Sequence, residues 1–375
     1  MAFLVVFVAA YVFGGAALRA FRFQGVCESL VYRIAAGLPL CALLVLALGS
    51  VSLSMAQIAL YLVAAIGLGR QLLGPSGGDS PELPLGESAP PFSRFEKFCL
   101  SVLSAAAVLT FLAAATPVTQ DDALPVLGLV QDYYREGRVF VFEGDPQCGG
   151  PHLMPCLFAY AFHESGEQGV TLLNWAVGLL GCGALFLLTD RIAGRAAGLI
   201  AAAMFSTAPV FFDQAQGASC HLMLVTLSVT ALAAWQTWYE SEDRRWLMVA
   251  AFLAGSCCGI HPSGWIVAVL IPIGTLLAVS PNRVKALGQS VAYIALGAAP
   301  WILRAALLTG NPLYPSGPDE WIPLAALDKA GLTELVWFPW AVVMRFFDYG
   351  GWVKSPGCLI LFLGVPGLLI CGRRV

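Results

Sequence analysis

Long apolar runs separated by short polar segments recur along the whole chain. A helix needs roughly 20 mostly apolar residues to cross the hydrocarbon core of a bilayer, and many of these runs approach that length. The pattern therefore predicts an all-α, polytopic helical membrane protein with about 11–12 transmembrane helices. The predicted spans lie at approximately 1–18, 34–50, 54–70, 98–116, 170–190, 195–212, 219–238, 246–260, 264–280, 287–308 and 357–372, with a less regular apolar stretch at 335–347.

The composition excludes several broad classes of protein. Of the 375 residues, 58% are hydrophobic and 11% are charged, whereas about a quarter of the residues in a soluble globular chain carry charge. The sequence lacks the short segments of alternating polarity that are typical of a membrane β-barrel. The net charge of −3 gives no indication of nucleic-acid binding.

The eleven cysteines do not form a metal-binding motif. Most of them lie inside apolar runs, where cysteine behaves as a small hydrophobic residue, and no CxxC pair has the spacing of a metal site. Cys148 and Cys156 share a non-spanning segment. They would be able to pair if that segment were exported, but the sequence favours free thiols.

Polar segments divide the chain into regions. Residues 73–97 are rich in Pro, Gly, Ser and acidic residues, which is typical of a linker. This linker is predicted to be cytoplasmic and to separate three leading helices in residues 1–72 from a larger module in residues 98–375. The longest non-spanning segments of that module, 117–169 and 309–334, are predicted to be external loops.

The first external loop contains two segments with structure of their own. Residues 126–134 are predicted to form a short helix along the membrane surface, with Tyr133 and Tyr134 suited to the interface. The apolar segment 151–162 is too short to cross a bilayer. It is therefore predicted to be interfacial or re-entrant.

The basic residues predict the orientation, because lysine and arginine are enriched in cytoplasmic loops. Most of them fall on one side if the N-terminus is external, which predicts a multi-pass protein of the cell membrane with its large loops on the external side. The first residues lack a basic n-region, so they are read as a retained helix rather than a signal peptide. The basic residues that share the cytoplasmic side are Arg19, Arg22, Arg33, Arg70, Arg94, Lys97, Arg191, Arg195, Arg244, Arg245, Arg283, Lys285, Arg373 and Arg374.

The acidic pair Asp121-Asp122 follows the apolar run 98–115 directly. A carboxylate at the external membrane surface is able to take a proton from an acceptor hydroxyl as a general base. The alternative is structural, because Asp is also a favoured N-cap of a following helix. The residues alone leave both interpretations open.

Three arginines are candidates for binding a phosphate group. Arg304 lies near the external end of a span, where it either binds a lipid-linked phosphate or extends to the lipid headgroups. Arg135 and Arg138 lie in the first external loop. They are able to contact phosphate as well, although a solvated surface is favoured for them.

Histidines and the segment 310–315 supply further candidates for a substrate cavity. His152, in the proline-rich part of the first loop, is the best histidine for such a site. The other candidates are His221, His261, Asn311 and Tyr314. The sequence identifies no cofactor with certainty, and a divalent cation is one possibility. The candidate cluster is His163 with Glu164 and Glu167. Its spacing is not a recognised ligand pattern, so this segment is predicted to be a solvated loop.

Seven short motifs follow one another in a characteristic order. They are Asp121-Asp122, Pro151–Pro155, Asn174-Trp175, Asp190–Gly198, Ala208-Pro209, Pro300–Arg304 and Gly310–Pro315. In this order they resemble the motifs of the GT-C superfamily of integral-membrane glycosyltransferases, and most of all those of its bacterial branch related to protein O-mannosyltransferases and aminoarabinose transferases. The resemblance covers roughly residues 98–372.

The resemblance implies a GT-C-like core and a specific reaction. Such enzymes move a sugar from a polyprenyl-phosphate donor to a protein, lipid or glycan acceptor on the external side, as part of glycosylation in the cell envelope. An acidic residue at the start of the first external loop acts on the acceptor. Asp121 matches that position best and Asp122 is the second candidate, while Arg304, Arg135 or Arg138 would hold the donor phosphate.

This sequence departs from the superfamily pattern at two places. Many relatives carry an acidic residue in the helix where this chain has Ser219-Cys220-His221. The segment Pro151-His152-Leu153 replaces the His-Pro-Pro-Leu of the mannosyltransferase branch. Two other functions are therefore kept: a polytopic transporter or lipid flippase, and a scaffold subunit whose external loops bind a partner.

Overall fold

The computed structural model describes residues 2–73, 91–116, 124–141, 146–278, 283–312 and 314. Every regular element in these ranges is a helix, so the all-α prediction is confirmed. The helices are α1 (Ala2–Ala17), α2 (Val26–Gly49), α3 (Leu53–Leu73), α4 (Arg94–Ala114), α5 (Leu124–Glu136), α6 (Pro146–Gly149), α7 (Leu153–Ala193), α8 (Arg195–Thr207), α9 (Pro209–Ala215), α10 (His221–Ser241), α11 (Arg244–Cys258), α12 (Gly264–Leu277) and α13 (Arg283–Thr309).

Five of these helices, α2, α3, α4, α7 and α13, are long and apolar enough to cross a membrane. A sixth span results if α8 and α9 are counted together, since they are bent by 62° at their junction. The single predicted span 195–212 is therefore divided, because the chain turns at Ala208, just before Pro209. Each predicted span in the described ranges coincides with helix, whereas 335–347 and 357–372 lie outside the described residues.

Glycines bring the backbones of neighbouring helices into direct contact. A Cβ atom on Gly37 of α2 would lie 1.8 Å from the carbonyl oxygen of Ala10 in α1. A Cβ atom on Gly255 of α11 would lie 2.1 Å from the carbonyl oxygen of Ile294 in α13. Small residues at such crossings are typical of helix packing in membranes, where close van der Waals contact drives association.

Helix α7 lies at the centre of the bundle, in contact with α1, α2, α3, α4, α5, α8 and α10. It is broken at Ser165 and Gly166, and Gly166 has a φ of +62°, which favours glycine. The segment 151–162 was predicted to be interfacial or re-entrant, and the interfacial alternative is wrong, because residues 153–161 are all buried and form part of the core. The loop predicted around Glu164 is also wrong, because that residue lies in α7 and accepts a hydrogen bond from the Tyr61 hydroxyl at 2.6 Å.

One end of the bundle carries Arg191 and Arg195, two of the basic residues that the sequence assigns to the cytoplasm. Arg191 pairs with Glu28 at 2.5 Å and with Glu240 at 3.3 Å. At the same end, Arg195 pairs with Glu96 at 2.7 Å. These ion pairs join α2, α4, α7, α8 and α10, and we refer to this part of the bundle as the basic end.

The opposite end holds the connections that carry most of the candidate residues. The amide of Val139 donates to the carbonyl of Gly49 at 2.7 Å, and the amide of Leu53 donates to that of Gly137 at 2.8 Å. These two bonds tie the segment after α5 to the α2–α3 connection. We refer to this part of the bundle as the site end.

The contact between α11 and α13 generates a stability prediction. Gly255→Ala inserts a methyl group against the Ile294 carbonyl, so we expect a lower free energy of unfolding by about 1–3 kcal/mol. Gly288→Ala is the matched control, since a Cβ atom on Gly288 has no neighbour within 4 Å. Thermal unfolding of both variants in detergent measures the difference, and equal midpoints would contradict the close packing.

Candidate functional site

A buried tyrosine–histidine pair forms the centre of the site end. The hydroxyl of Tyr133 in α5 lies 2.6 Å from Nε2 of His152, which precedes α7. Tyr133 is fully buried and His152 is 1% exposed. The helix at 126–134 is confirmed, but placing Tyr133 at the membrane interface is wrong, because its face of α5 packs against α7. Tyr134, on the other face, is 50% exposed.

Burial and a nearby cation control the ionisation of this pair. Burial, together with the Arg304 guanidinium, holds the pKa of His152 well below its usual value, so the imidazole stays neutral. Burial also raises the pKa of the Tyr133 hydroxyl. The second ring nitrogen of His152, Nδ1, is buried without a hydrogen-bond partner in the described ranges. A neutral imidazole with one unsatisfied nitrogen is an unusual buried group.

Arg304 reaches the same connection from α13. It is half-buried, and its Nη1 lies 3.4 Å from the carbonyl oxygen of Gly150, which it approaches as a weak donor. Gly149 makes this approach possible, because a Cβ atom there would lie 2.4 Å from Thr309 and 2.8 Å from Tyr314. The structure thus brings together three predicted site residues, His152, Arg304 and Tyr314.

A cleft opens beside this connection. It is small, since the space that a water-sized group is able to occupy is about 20 Å³. Pro151, Trp265, Trp301 and Tyr314 line it together with other apolar residues. Asn311, another predicted cavity residue, accepts a hydrogen bond from the Tyr314 amide at 3.2 Å through its carbonyl. The cleft therefore combines aromatic walls with the α13 terminus that also carries Arg304.

The other two predicted histidines form a second cluster at the site end. The rings of His221 and His261 lie 5.4 Å apart between centroids. The connection that carries His261 is joined to the first cluster, because the amide of Leu153 donates to the carbonyl of Gly259 at 2.8 Å. Burial, and then the proximity of His221, lower the pKa of His261.

The hydrogen bonds around His221 determine which of its nitrogens carries the proton. The side-chain amide of Gln214 donates through Nε2 to Asp213 at 3.1 Å, which directs its oxygen toward Ser219 and His221. Ser219 donates its hydroxyl proton to that oxygen. Nδ1 of His221 therefore faces two acceptors, the Gln214 oxygen at 3.1 Å and the Ser219 oxygen at 2.8 Å. These two acceptors favour the tautomer of His221 that carries the proton on Nδ1.

Asn174 holds this second cluster in place and was not predicted as a site residue. Its Nδ2 donates to the carbonyls of Gln214 at 2.7 Å and Gly217 at 2.9 Å, both in the α9–α10 connection. The side chain is fully buried in α7. A lone amide inside an otherwise apolar run is the sequence signal for this role, since a buried polar group requires partners.

Asp121 and Asp122 lie outside the described residues. The helices on either side of them meet at the break in α7: Gln168 donates to the carbonyl of Ala115, after α4, at 3.3 Å. Gln131 of α5 contacts the neighbouring Glu167 at 3.5 Å. The described chain before and after the acidic pair thus belongs to the site end.

The loop arginines lie on the protein surface. Arg135 has a side chain that is 73% exposed and pairs with Asp132 at 3.1 Å. The guanidinium of Arg138 lies over the Phe140 ring at 5.6 Å from its centroid. Neither residue lies in the buried cluster around His152. A role for them in phosphate binding stays a prediction.

Within the described ranges, no group of three or more histidine, cysteine or acidic side chains is arranged to hold a metal ion. The segment around His163, Glu164 and Glu167 is included in that statement. Cys148 and Cys156 are both buried and are not joined in a disulfide, as the sequence favours. A requirement for a divalent cation stays a prediction.

Comparison with known proteins gives one match. A family described as a domain of unknown function (DUF8201) matches residues 152–321. The match begins at His152 and includes the paired histidines, Arg304 and Asn311. No curated protein and no solved structure matches the chain.

The buried pair generates a second stability prediction. Tyr133→Phe removes the hydroxyl that contacts Nε2 of His152, so neither ring nitrogen then has a partner in the described structure. We expect the free energy of unfolding to fall by about 1–3 kcal/mol. Tyr134→Phe, at the half-exposed neighbouring position, is the control and should leave the thermal midpoint unchanged. A midpoint for Tyr133→Phe equal to that of the control would contradict the pairing.

Proposed function

We propose that the protein is a membrane glycosyltransferase that moves a sugar from a polyprenyl-phosphate donor to an acceptor hydroxyl. The observation that carries this proposal is the half-buried Arg304, which has no carboxylate partner in the described ranges. It lies at the same end of the bundle as the helices that flank Asp121-Asp122. An arginine without a counter-ion at a helix end suits a lipid-linked phosphate, which it is able to bind through two parallel hydrogen bonds.

The proposed reaction is a single displacement. The carboxylate of Asp121, or of Asp122, takes the proton of the acceptor hydroxyl while that oxygen attacks the anomeric carbon of the sugar. The bond between the anomeric carbon and the phosphate oxygen breaks, and the carrier phosphate leaves with the bonding electrons. Arg304 stabilises its charge. One displacement inverts the configuration at the anomeric carbon.

The buried cluster has a positioning role in this proposal. Tyr133 and His152 hold the connection between α6 and α7, and that connection presents the Gly150 carbonyl to Arg304. A neutral His152 adds no positive charge that would compete with Arg304 for the phosphate. Trp301 and Tyr314, which line the small cleft, supply aromatic surface against which a sugar ring or a prenyl chain would pack once the cleft widens.

The proposed orientation follows from the two ends of the bundle. The arginines of the basic end belong on the cytoplasmic side under the positive-inside rule. The site end then faces the periplasm, where acceptors of the cell envelope lie. In this orientation the site end would meet a lipid-linked donor that lies in the external leaflet of the inner membrane.

The acidic pair is tested by two single substitutions. Asp121→Asn should lower kcat for sugar transfer by about 10²–10⁴-fold, the usual contribution of a general base. Asp122→Asn should have the smaller effect. Transfer from a radiolabelled polyprenyl-phosphate sugar, measured with purified protein in liposomes, gives both values. Full activity of both variants would overturn the assignment, and uptake of substrate without a covalent product would favour the transporter.

The role of Arg304 is tested by charge removal. Arg304→Met should raise KM for the lipid-linked donor by about 10–100-fold, because a charge-assisted hydrogen bond is worth roughly 1.5–3 kcal/mol. Arg304→Lys should recover part of that loss. Arg19→Met, at an exposed position of the basic end, is the control. An unchanged KM in Arg304→Met would show that the phosphate is bound elsewhere.

A further inference from the structure

Arg33 lies inside α2, which is long and apolar enough to cross a membrane, and not in the preceding loop as the predicted span 34–50 implied. It has no acidic partner among the described residues. It is the eighth residue of α2, about 10 Å along the helix from its start. Glu28, the acidic residue in the first turn of the same helix, is already engaged by Arg191. A charge at such a depth is costly unless it is paired. The missing counter-ion of Arg33 must therefore come from outside the described chain.

The contacts of Arg33 hold its guanidinium in a defined place. Its Nη1 donates to the Tyr11 hydroxyl at 2.7 Å, and its guanidinium lies 5.2 Å from the Tyr11 ring centroid and 5.4 Å from that of Phe23. Nε is buried and has no hydrogen-bond partner in the described structure. The backbones also touch here, since a Cβ atom on Gly14 would lie 1.8 Å from the Arg33 carbonyl oxygen. The guanidinium is thus fixed but only partly satisfied.

An apolar groove adjoins this guanidinium. It runs between α1, α2 and α3 and has a volume of about 730 Å³, including its open side. Phe7, Leu30 and Ile34 belong to its walls, and Gly67 lies on the α3 side. Tyr11, which binds Arg33, also lines the groove. The polar contact and the apolar surface are therefore parts of one site.

We propose that this groove binds a phospholipid with an anionic headgroup, with one acyl chain in the groove and the phosphate on Arg33. The groove belongs to helices that are apolar enough to lie in a membrane, so its natural occupant is a lipid chain. A phosphate diester supplies the acceptor oxygens and the negative charge that the guanidinium lacks. The exposed Arg19 and Arg22 at the basic end add to the attraction of an anionic headgroup.

This site is independent of the proposed transferase. It lies toward the basic end, on the three leading helices, whereas Arg304 and the acidic pair belong to the site end. A lipid bound there would fasten α1 and α3 to α2. The site therefore gives the leading helices a role of their own, whether or not the protein transfers a sugar.

The test uses the full chain, stripped of lipid in detergent and titrated with phosphatidylglycerol under native mass spectrometry. We expect one tightly bound lipid on the wild type and about tenfold or weaker binding to Arg33→Met, the effect of losing roughly 1.4 kcal/mol. Arg94→Met, at an exposed position on α4, should bind like the wild type. Equal retention by Arg33→Met and Arg94→Met would overturn the proposal.

Two further measurements keep the result interpretable. Leu30→Trp fills the groove from a partly exposed position and leaves Arg33 in place. Leu30→Trp should also lose the bound lipid, so this variant tests the proposal if Arg33→Met fails to fold. Titration with phosphatidylcholine should give weaker binding than phosphatidylglycerol. Equal binding of the two lipids, or several equivalent lipids on each protein, would indicate bulk lipid only and would contradict a specific anionic site.

Discussion

The structure depends on one constraint: the buried helix connections at the site end must satisfy one another's polar groups, because an unpaired polar group is costly to bury. Helix α7 breaks at Ser165 and Gly166, and its first part enters the core. The connection that precedes this part is secured by the bond from the Leu153 amide to the Gly259 carbonyl, and by His152 against Tyr133. These contacts join α5, the start of α7 and the end of α11 around one point, and the candidate site is built there.

The two ends of the bundle differ in the way that they are held together. The basic end is fastened by ion pairs with partly exposed arginines, such as Arg195 with Glu96. Such pairs tolerate water and lipid headgroups. The site end is fastened by buried neutral hydrogen bonds, including those of Asn174. This arrangement leaves Arg304 as a cation whose charge is not neutralised by the described protein, which is the condition for binding an anion.

Much of the fold was predictable from hydrophobic periodicity, because a membrane requires long apolar helices whose lengths can be read from the chain. The short helix α5 was predicted, but the burial of Tyr133 was not. Adjacent tyrosines such as Tyr133 and Tyr134 lie on different faces of a helix, and the sequence does not show which face is covered by another helix. The burial of residues 153–161 was not predicted. The length of this apolar segment shows that it is too short to cross a bilayer, but it does not show which other helices pack around it. The proximity of His221 and His261, 40 residues apart in the chain, is a tertiary contact that no local pattern indicates.

The central claim is that Arg304 and the acidic pair Asp121-Asp122 face one cavity that is open to a lipid-linked phosphate. A cryo-electron microscopy structure with a polyprenyl-phosphate analogue tests it most directly. The account predicts phosphate density in contact with the Arg304 guanidinium and a cavity that runs from there to the carboxylate of Asp121 or Asp122. Phosphate bound away from Arg304, or both carboxylates turned away from that cavity, would contradict it.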